Sequence, residues 1–256
     1  IENIINNNKE ISLKSKDGIF SVIDNDLDNE SKKTIKNLHS KFFARIYGQN
    51  VKNRISKINE SSNYLKENFN SEVSSAIILG SGMGGFENSF DPIATFDYSE
   101  IPNFINPAVQ GHSGTLTFVE VEDKITAILS GRAHYYEGYD IHDLVLPTRV
   151  LATLGIKNLI VTNAAGGINA NYLPGDIVAI KDHINLTGNN PLIGKNLDEF
   201  GPRFPDMTEV YNSKFRALAK EISKEYFEYK EGVYAWFTGP TYETPSEVNF
   251  AKTIGA

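Results

Sequence analysis

Beyond residue 75 the chain alternates between apolar runs of strand length and polar or glycine-rich breaks. The runs are 75–79 (SAIIL), 115–121 (TLTFVEV), 125–130 (ITAILS), 158–163 (NLIVTN), 176–180 (DIVAI) and 233–237 (VYAWF). They are rich in β-branched residues and too short for helices, which predicts strands. Helical spacing appears between some of them, in 141–155 (IHDLVLPTRVLATLG) and 212–227 (NSKFRALAKEISKEYF). In the first of these, Leu144, Leu151 and Leu154 fall on one face, Gly155 supplies the stop, and Pro147 bends the helix or delays its start. Continuous apolar runs mixed with helices predict an α/β fold: a single domain with a mixed central sheet flanked by helices.

The first seventy residues read differently. They are rich in Asn, Lys, Asp and Ser and hold no proline, a composition that resists packing and predicts partial disorder. Within them, 18–23 (GIFSVI) reads as a strand, 34–48 (TIKNLHSKFFARIYG) as an amphipathic helix closed by Gly48, and 51–69 as a second helix. The expected division is an extension, or the tail of a preceding domain, over 1–48 and a catalytic or binding domain over 49–256. No internal repeat is visible.

Four strand runs end in small or polar residues: 80–85 (GSGMGG), 131–139 (GRAHYYEGY), 163–167 (NAAGG) and 239–244 (GPTYET). Ligands of open α/β sheets gather beyond the carboxyl ends of strands, so four such loops converging would make a site. The first matches G-x-G-x-x-G through Gly80, Gly82 and Gly85, which leaves two readings open, a dinucleotide loop or a phosphate loop. Glycines there free backbone N–H groups for an anion, and Ser81 adds a hydroxyl. Arg132 and His134, two apart on an extended segment, point the same way and supply charge and a further donor. A dinucleotide reading needs an acidic residue about twenty positions on, carried by a strand–helix unit. Asp97 and Glu100 are available, but no clear helix precedes them.

Composition narrows the partners. The chain has 256 residues and a formal net charge of −7, with no long basic block, which argues against nucleic acid. It has no cysteine, so disulfides and thiolate metal sites are excluded, which fits a reducing, cytoplasmic setting. No compact carboxylate–histidine motif predicts a metal, and no apolar run is long enough to span a membrane.

Taken in order, GSGMGG, IPNF, GHSG, GRAHYYEGY, VTNAAGG, GDIVAIKDHINLTG, NPLIG, RFPDM and GPTYET resemble the successive motifs of the trimeric purine nucleoside phosphorylases. The resemblance runs from about residue 75 to the end. It decides the opening loop in favour of phosphate. The related methylthioadenosine phosphorylases share the fold but differ at the arginine–histidine loop and at NAAGG, and they remain the alternative activity. A non-catalytic nucleoside- or phosphate-binding protein is the alternative of another class.

The resemblance implies roles for individual residues. Ser81, His112, Arg132, His134 and the backbone of Ala164 would hold inorganic phosphate, and Tyr136 the ribose. Glu243 would bind the purine, with Tyr242 beside the base, and Phe204 would reach into a neighbouring subunit's site. His134 and Glu243 would be the residues closest to the chemistry. Asn163 and Glu137 would orient the loops. The implied reaction is phosphorolysis of purine nucleosides, inosine and guanosine foremost, in purine salvage. The implied assembly is a homotrimer, with phosphate as co-substrate and no cofactor or metal. The pattern also implies an asparagine on purine N7 and a histidine near the ribose 5′-hydroxyl, both beyond Ala256, so truncation at the carboxyl end is expected.

Overall fold

The computed structural model describes residues 12–16, 19–23, 29–108 and 113–256. The chain falls into two compact units, Ile1–Asn53 and Arg54–Ala256. In the first, β1 (Ser12–Lys16) and β2 (Ile19–Ile23) pair antiparallel with Ser12 opposite Ile23. The strand expected in 18–23 is therefore present, and β1 is an addition to the sequence reading. The disorder expected within 1–48 falls in part on residues outside the described set.

Gly48 does not close a helix. A single helix, α1, spans Asn29–Asn68 and carries both predicted segments. A glycine inside a helix costs only about 1 kcal/mol relative to alanine, and no proline interrupts this stretch, so nothing local is strong enough to stop it. In the second unit α1 buries Ile58, Ser61, Ser62 and Leu65, the spacing of one helical face. Just beyond it, Phe69 stacks on Phe118 with ring centroids 4.1 Å apart.

The main sheet has five strands in the order β4-β5-β6-β3-β7. They are β3 (Val73–Leu79), β4 (Pro92–Asp97), β5 (Thr115–Val121), β6 (Lys124–Ser130) and β7 (Asn158–Val161). β6 and β7 both run parallel to β3, while β5 pairs antiparallel with β6 and β4 antiparallel with β5. The mixed sheet and its flanking helices are those the sequence predicts. β4 was not anticipated: it alternates exposed and half-buried residues and opens on a proline, as an edge strand can. The core lies on the central strands, where Leu79, Val119 and Ile128 cluster with Ile77, Phe86 and Phe90 packed against them. The other edge, β7, is apolar yet exposed: Ile160 retains 53% of its accessible surface.

The segment 141–155 divides into α2 (Ile141–Leu144) and α3 (Leu146–Thr153), with Pro147 in the first turn of α3. Proline has no N–H to continue the earlier helix and suits a first turn, so the break is where the sequence places it. The break also changes the buried face. Leu146, Val150 and Leu151 are buried, whereas the expected Leu144 and Leu154 are only half-buried.

The remaining strands, β8 (Val178–Asn185) and β9 (Lys230–Trp236), form a parallel pair of their own. β8 starts two residues later than expected, because Asp176 is engaged in the turn before it, accepting from Leu173 N–H at 2.6 Å and pairing with Lys230. α4 (Ser213–Ser223) is capped by Asn212, and α5 (Pro245–Thr253) is the last described element.

Candidate active site

Because β6, β3 and β7 are adjacent and parallel, the loops that follow them open at one edge of the sheet. These loops carry three of the four predicted segments. Register adds two more pieces to the same edge: Thr115 at the start of β5 faces Ser130 at the end of β6, and Asp97 at the end of β4 faces Thr115.

The three loops are tied together at Thr162. Its hydroxyl accepts from Gly80 N–H at 2.9 Å, and its carbonyl accepts from Arg132 Nη1 at 2.8 Å. The approach at Gly80 is so close that a Cβ there would stand 2.4 Å from the Thr162 carbonyl oxygen and 2.8 Å from Asn163 Cα. Glycine at 80 thus serves loop-to-loop packing rather than access for a ligand. Ser81 and Ala164 are exposed at the rim, and Asn163 Nδ2 donates to Ala164 O at 3.2 Å.

The arginine–histidine segment is held by Glu137. Its Oε1 accepts from His134 N–H at 2.6 Å and lies 3.1 Å from His134 Nδ1, while Oε2 accepts from Ala108 N–H at 3.1 Å. Partial burial works to raise the Glu137 pKa, but the donors from His134 and Ala108 outweigh it and hold the carboxyl below its ordinary value. A carboxylate on Nδ1 favours the tautomer with the proton there. The His134 ring stacks on Tyr136 at 5.0 Å with 10° between planes.

Arg132 is partly buried. Burial presses its pKa down, and the neighbouring hydroxyls of Tyr234, Tyr98 and Tyr136 act upward against it. Tyr234, on β9, is raised chiefly by burial; Arg132 opposes that shift and Glu243 adds to it. Tyr234 therefore feels both Arg132 and the acid of the fourth loop. That loop also meets the second directly: a Cβ on Gly239 would lie 3.2 Å from Tyr136 Cδ1. At the base of this junction Tyr135 packs edge-on against Trp236 at 6.3 Å and bonds Asn189 Nδ2 at 3.0 Å.

Glu243 is exposed and lies two residues before the start of α5. Thr244 caps that helix as expected: its hydroxyl accepts from Glu247 N–H at 3.3 Å and its own N–H donates to Glu247 at 2.7 Å. Tyr242 is 96% exposed and Phe204 87% exposed, so within one chain neither joins the cluster. The Arg203 guanidinium stands 5.8 Å from the Phe204 ring centroid. His112 lies outside the described residues, although Gly114 of the same motif donates to Ser130 O at 2.9 Å, beside the arginine loop. Sequence reasoning missed Thr162, Tyr98 and Tyr234. Their only signal was position, each lying in a strand or immediately after one.

The family model described as the phosphorylase superfamily matches residues 75–256. Purine nucleoside phosphorylase 1 of Geobacillus stearothermophilus is 43% identical over 199 residues, covering 77% of this chain and 73% of its own. This chain belongs to the purine nucleoside phosphorylase family. The Bos taurus member is 44% identical over 187 residues, covering 71% of this chain and 65% of its own. Among solved members, the Schistosoma mansoni enzyme in complex with BCX-34 superposes with a TM-score of 0.73 at 37% identity, covering 78% and 76% of the two chains. Isoform 2 from the same organism, in complex with cytosine and ribose-1-phosphate, gives 0.73 at 41% identity, covering 78% and 72%. The match begins at β3, so the family region contains all four loops.

Proposed function

We propose that this chain catalyses phosphorolysis of purine nucleosides, with inosine and guanosine as the preferred substrates, in purine salvage. The observation that carries the reading is the junction at Thr162, which binds the glycine loop and Arg132 into one anion-binding edge. The solved relative in complex with cytosine and ribose-1-phosphate supports it, since a sugar phosphate is the product such an edge would release.

In this reading phosphate rests on Ser81, His112, Arg132, His134 and the Ala164 amide. One of its oxygens forms a bond to C1′ as the C1′–N9 bond breaks, and the bonding pair leaves on the purine, which is then protonated. The sugar passes through an oxocarbenium-like state, so the held anion stabilises the developing cation without a covalent enzyme intermediate. Tyr136 positions the ribose, Glu243 accepts from purine N1–H and Tyr242 lies on the base. No cofactor or metal takes part; phosphate is the co-substrate. Phe204, exposed on its own chain, completes a neighbour's site in a cyclic homotrimer, which sedimentation at three times the chain mass would support. The partners are small molecules rather than nucleic acid or membrane: the charge is negative, and no helix among the described residues is long and apolar enough to cross a bilayer. The absence of cysteine fits a cytoplasmic setting.

The test is release of hypoxanthine from inosine with and without inorganic phosphate. Release that needs phosphate and yields equimolar ribose 1-phosphate supports the reading. Phosphate-independent release, or binding of inosine with no turnover, overturns it.

A further inference from the structure

We propose that Tyr98 is a positioning residue for the Arg132–His134 segment, a role that rests on the phosphate site proposed above. Tyr98 is the first residue after β4 and belongs to none of the four loops. Its backbone is fixed first. Tyr98 N–H donates to Gly114 O at 2.8 Å, and Gly114 N–H donates in turn to Ser130 O at 2.9 Å. The turn that follows is held by Asp97, whose carboxylate accepts from Ser99 N–H at 2.8 Å.

From that fixed point the side chain runs inward. Tyr98 is only 2% exposed, and its ring packs edge-on against Phe104 at 5.3 Å and 75°. Its hydroxyl donates to Gly131 O at 2.9 Å. Gly131 is itself buried, so this carbonyl has no ready access to water as a substitute partner. The accepted proton thus pins the peptide that joins residue 131 to Arg132. Burial raises the Tyr98 pKa, which keeps the hydroxyl protonated and donating across the working pH range.

Arg132 is consequently held at two places. Tyr98 holds its backbone through Gly131, and Thr162 holds its guanidinium. A long side chain anchored only at its tip would sample several rotamers and present a phosphate with a poorly placed donor fork. Nothing in this places Tyr98 against substrate; it acts through Arg132.

Tyr98→Phe keeps the buried ring and removes only the donor. The comparison variant is Phe69→Leu, which loosens the stack on Phe118 away from the site. Phosphate affinity is read by calorimetry, and kcat and the KM values for phosphate and inosine by steady-state assay. Tyr98→Phe should weaken phosphate binding and raise its KM about tenfold, with the inosine KM unchanged. Phe69→Leu should lower the melting temperature and leave phosphate affinity alone. If Tyr98→Phe loses stability as Phe69→Leu does while its phosphate affinity stays within twofold of wild type, the residue is structural and the proposal is overturned. Arg132→Met separates the two levels. If that variant binds phosphate normally, the phosphate site itself is misassigned and the role of Tyr98 falls with it.

Discussion

The guanidinium of Arg132 donates to the carbonyl of Thr162 at 2.8 Å, joining loops thirty residues apart in the chain. That bond leaves the rest of the guanidinium fork oriented by the protein rather than by a ligand. The neighbouring Gly80–Thr162 bond brings the glycine loop to the same point. In the proposed phosphate site, donors fixed in this way would stabilise an anion without reorganisation during reaction.

Arg132→Ala removes both the tether and the charge. A hydrogen bond to a charged group contributes about 1.5–3 kcal/mol, so the phosphate KM should rise roughly ten- to a hundredfold. Arg132→Lys should recover little of this, because a single ammonium cannot serve Thr162 and phosphate with a planar fork. Titrating phosphate at saturating inosine checks both, and an unchanged phosphate KM in Arg132→Ala would take the arginine out of the site.

Gly80→Ala and Gly166→Ala form a matched pair. A methyl at 80 collides with the Thr162 carbonyl at 2.4 Å, whereas one at 166 meets nothing within 4 Å. Overpacking of this kind costs roughly 1–3 kcal/mol. Gly80→Ala should therefore lower the melting temperature and weaken phosphate binding together, while Gly166→Ala leaves stability near wild type. Thermal melts of the two variants decide it, and equal tolerance would show that loops 80–85 and 162–167 are not packed as described.

Glu137 gives a pH dependence with a definite sign. Its carboxyl is held below the ordinary value, with burial opposing and the His134 and Ala108 donors prevailing. Its stabilising contribution is thus complete above the unfolded carboxyl pKa, roughly pH 4, and is lost as pH falls through the lower folded value. The melting-temperature gap between wild type and Glu137→Gln should be constant at neutral pH and close on the acid side of about pH 4. Melts from pH 7 down to about pH 3 test this. A gap that persists unchanged into acid would mean that the ionised carboxylate is not what holds His134.

Glu243 predicts substrate choice. A carboxylate accepts from N1–H of a 6-oxopurine, whereas adenine presents a lone pair at N1, and an unpaired acceptor costs about 1–3 kcal/mol. Inosine and guanosine should be cleaved faster than adenosine by a factor of roughly ten to a hundred. Glu243→Gln should narrow that gap, since an amide can also donate. Relative kcat/KM for the three nucleosides settles the matter, and equal cleavage of adenosine by wild type would remove Glu243 as the reader of the base.

What the sequence determined by itself was local. β-branched runs mark β3, β5, β6, β7 and β9, since strand propensity and burial act over a few residues. Thr244 and Pro245 announce the start of α5, and Pro147 the break between α2 and α3, for the same reason: a missing or supplied N–H partner is decided within one turn. The four glycine-rich or polar breaks were equally legible. Gly48 shows the limit of local signals, because one glycine cannot stop a helix that its neighbours favour.

Only the tertiary structure decided which strand ends meet. The order β4-β5-β6-β3-β7 comes from pairings between segments far apart in the chain, whose register depends on which faces are buried together. That order makes Thr162 the joint between Gly80 and Arg132, places Tyr98 under Gly131, and leaves β8 and β9 to pair by themselves. A threonine and a tyrosine beside strand ends look ordinary in sequence. Their roles come from hydrogen bonds that span 82, 30 and 33 positions, and no local pattern encodes a partner at that distance.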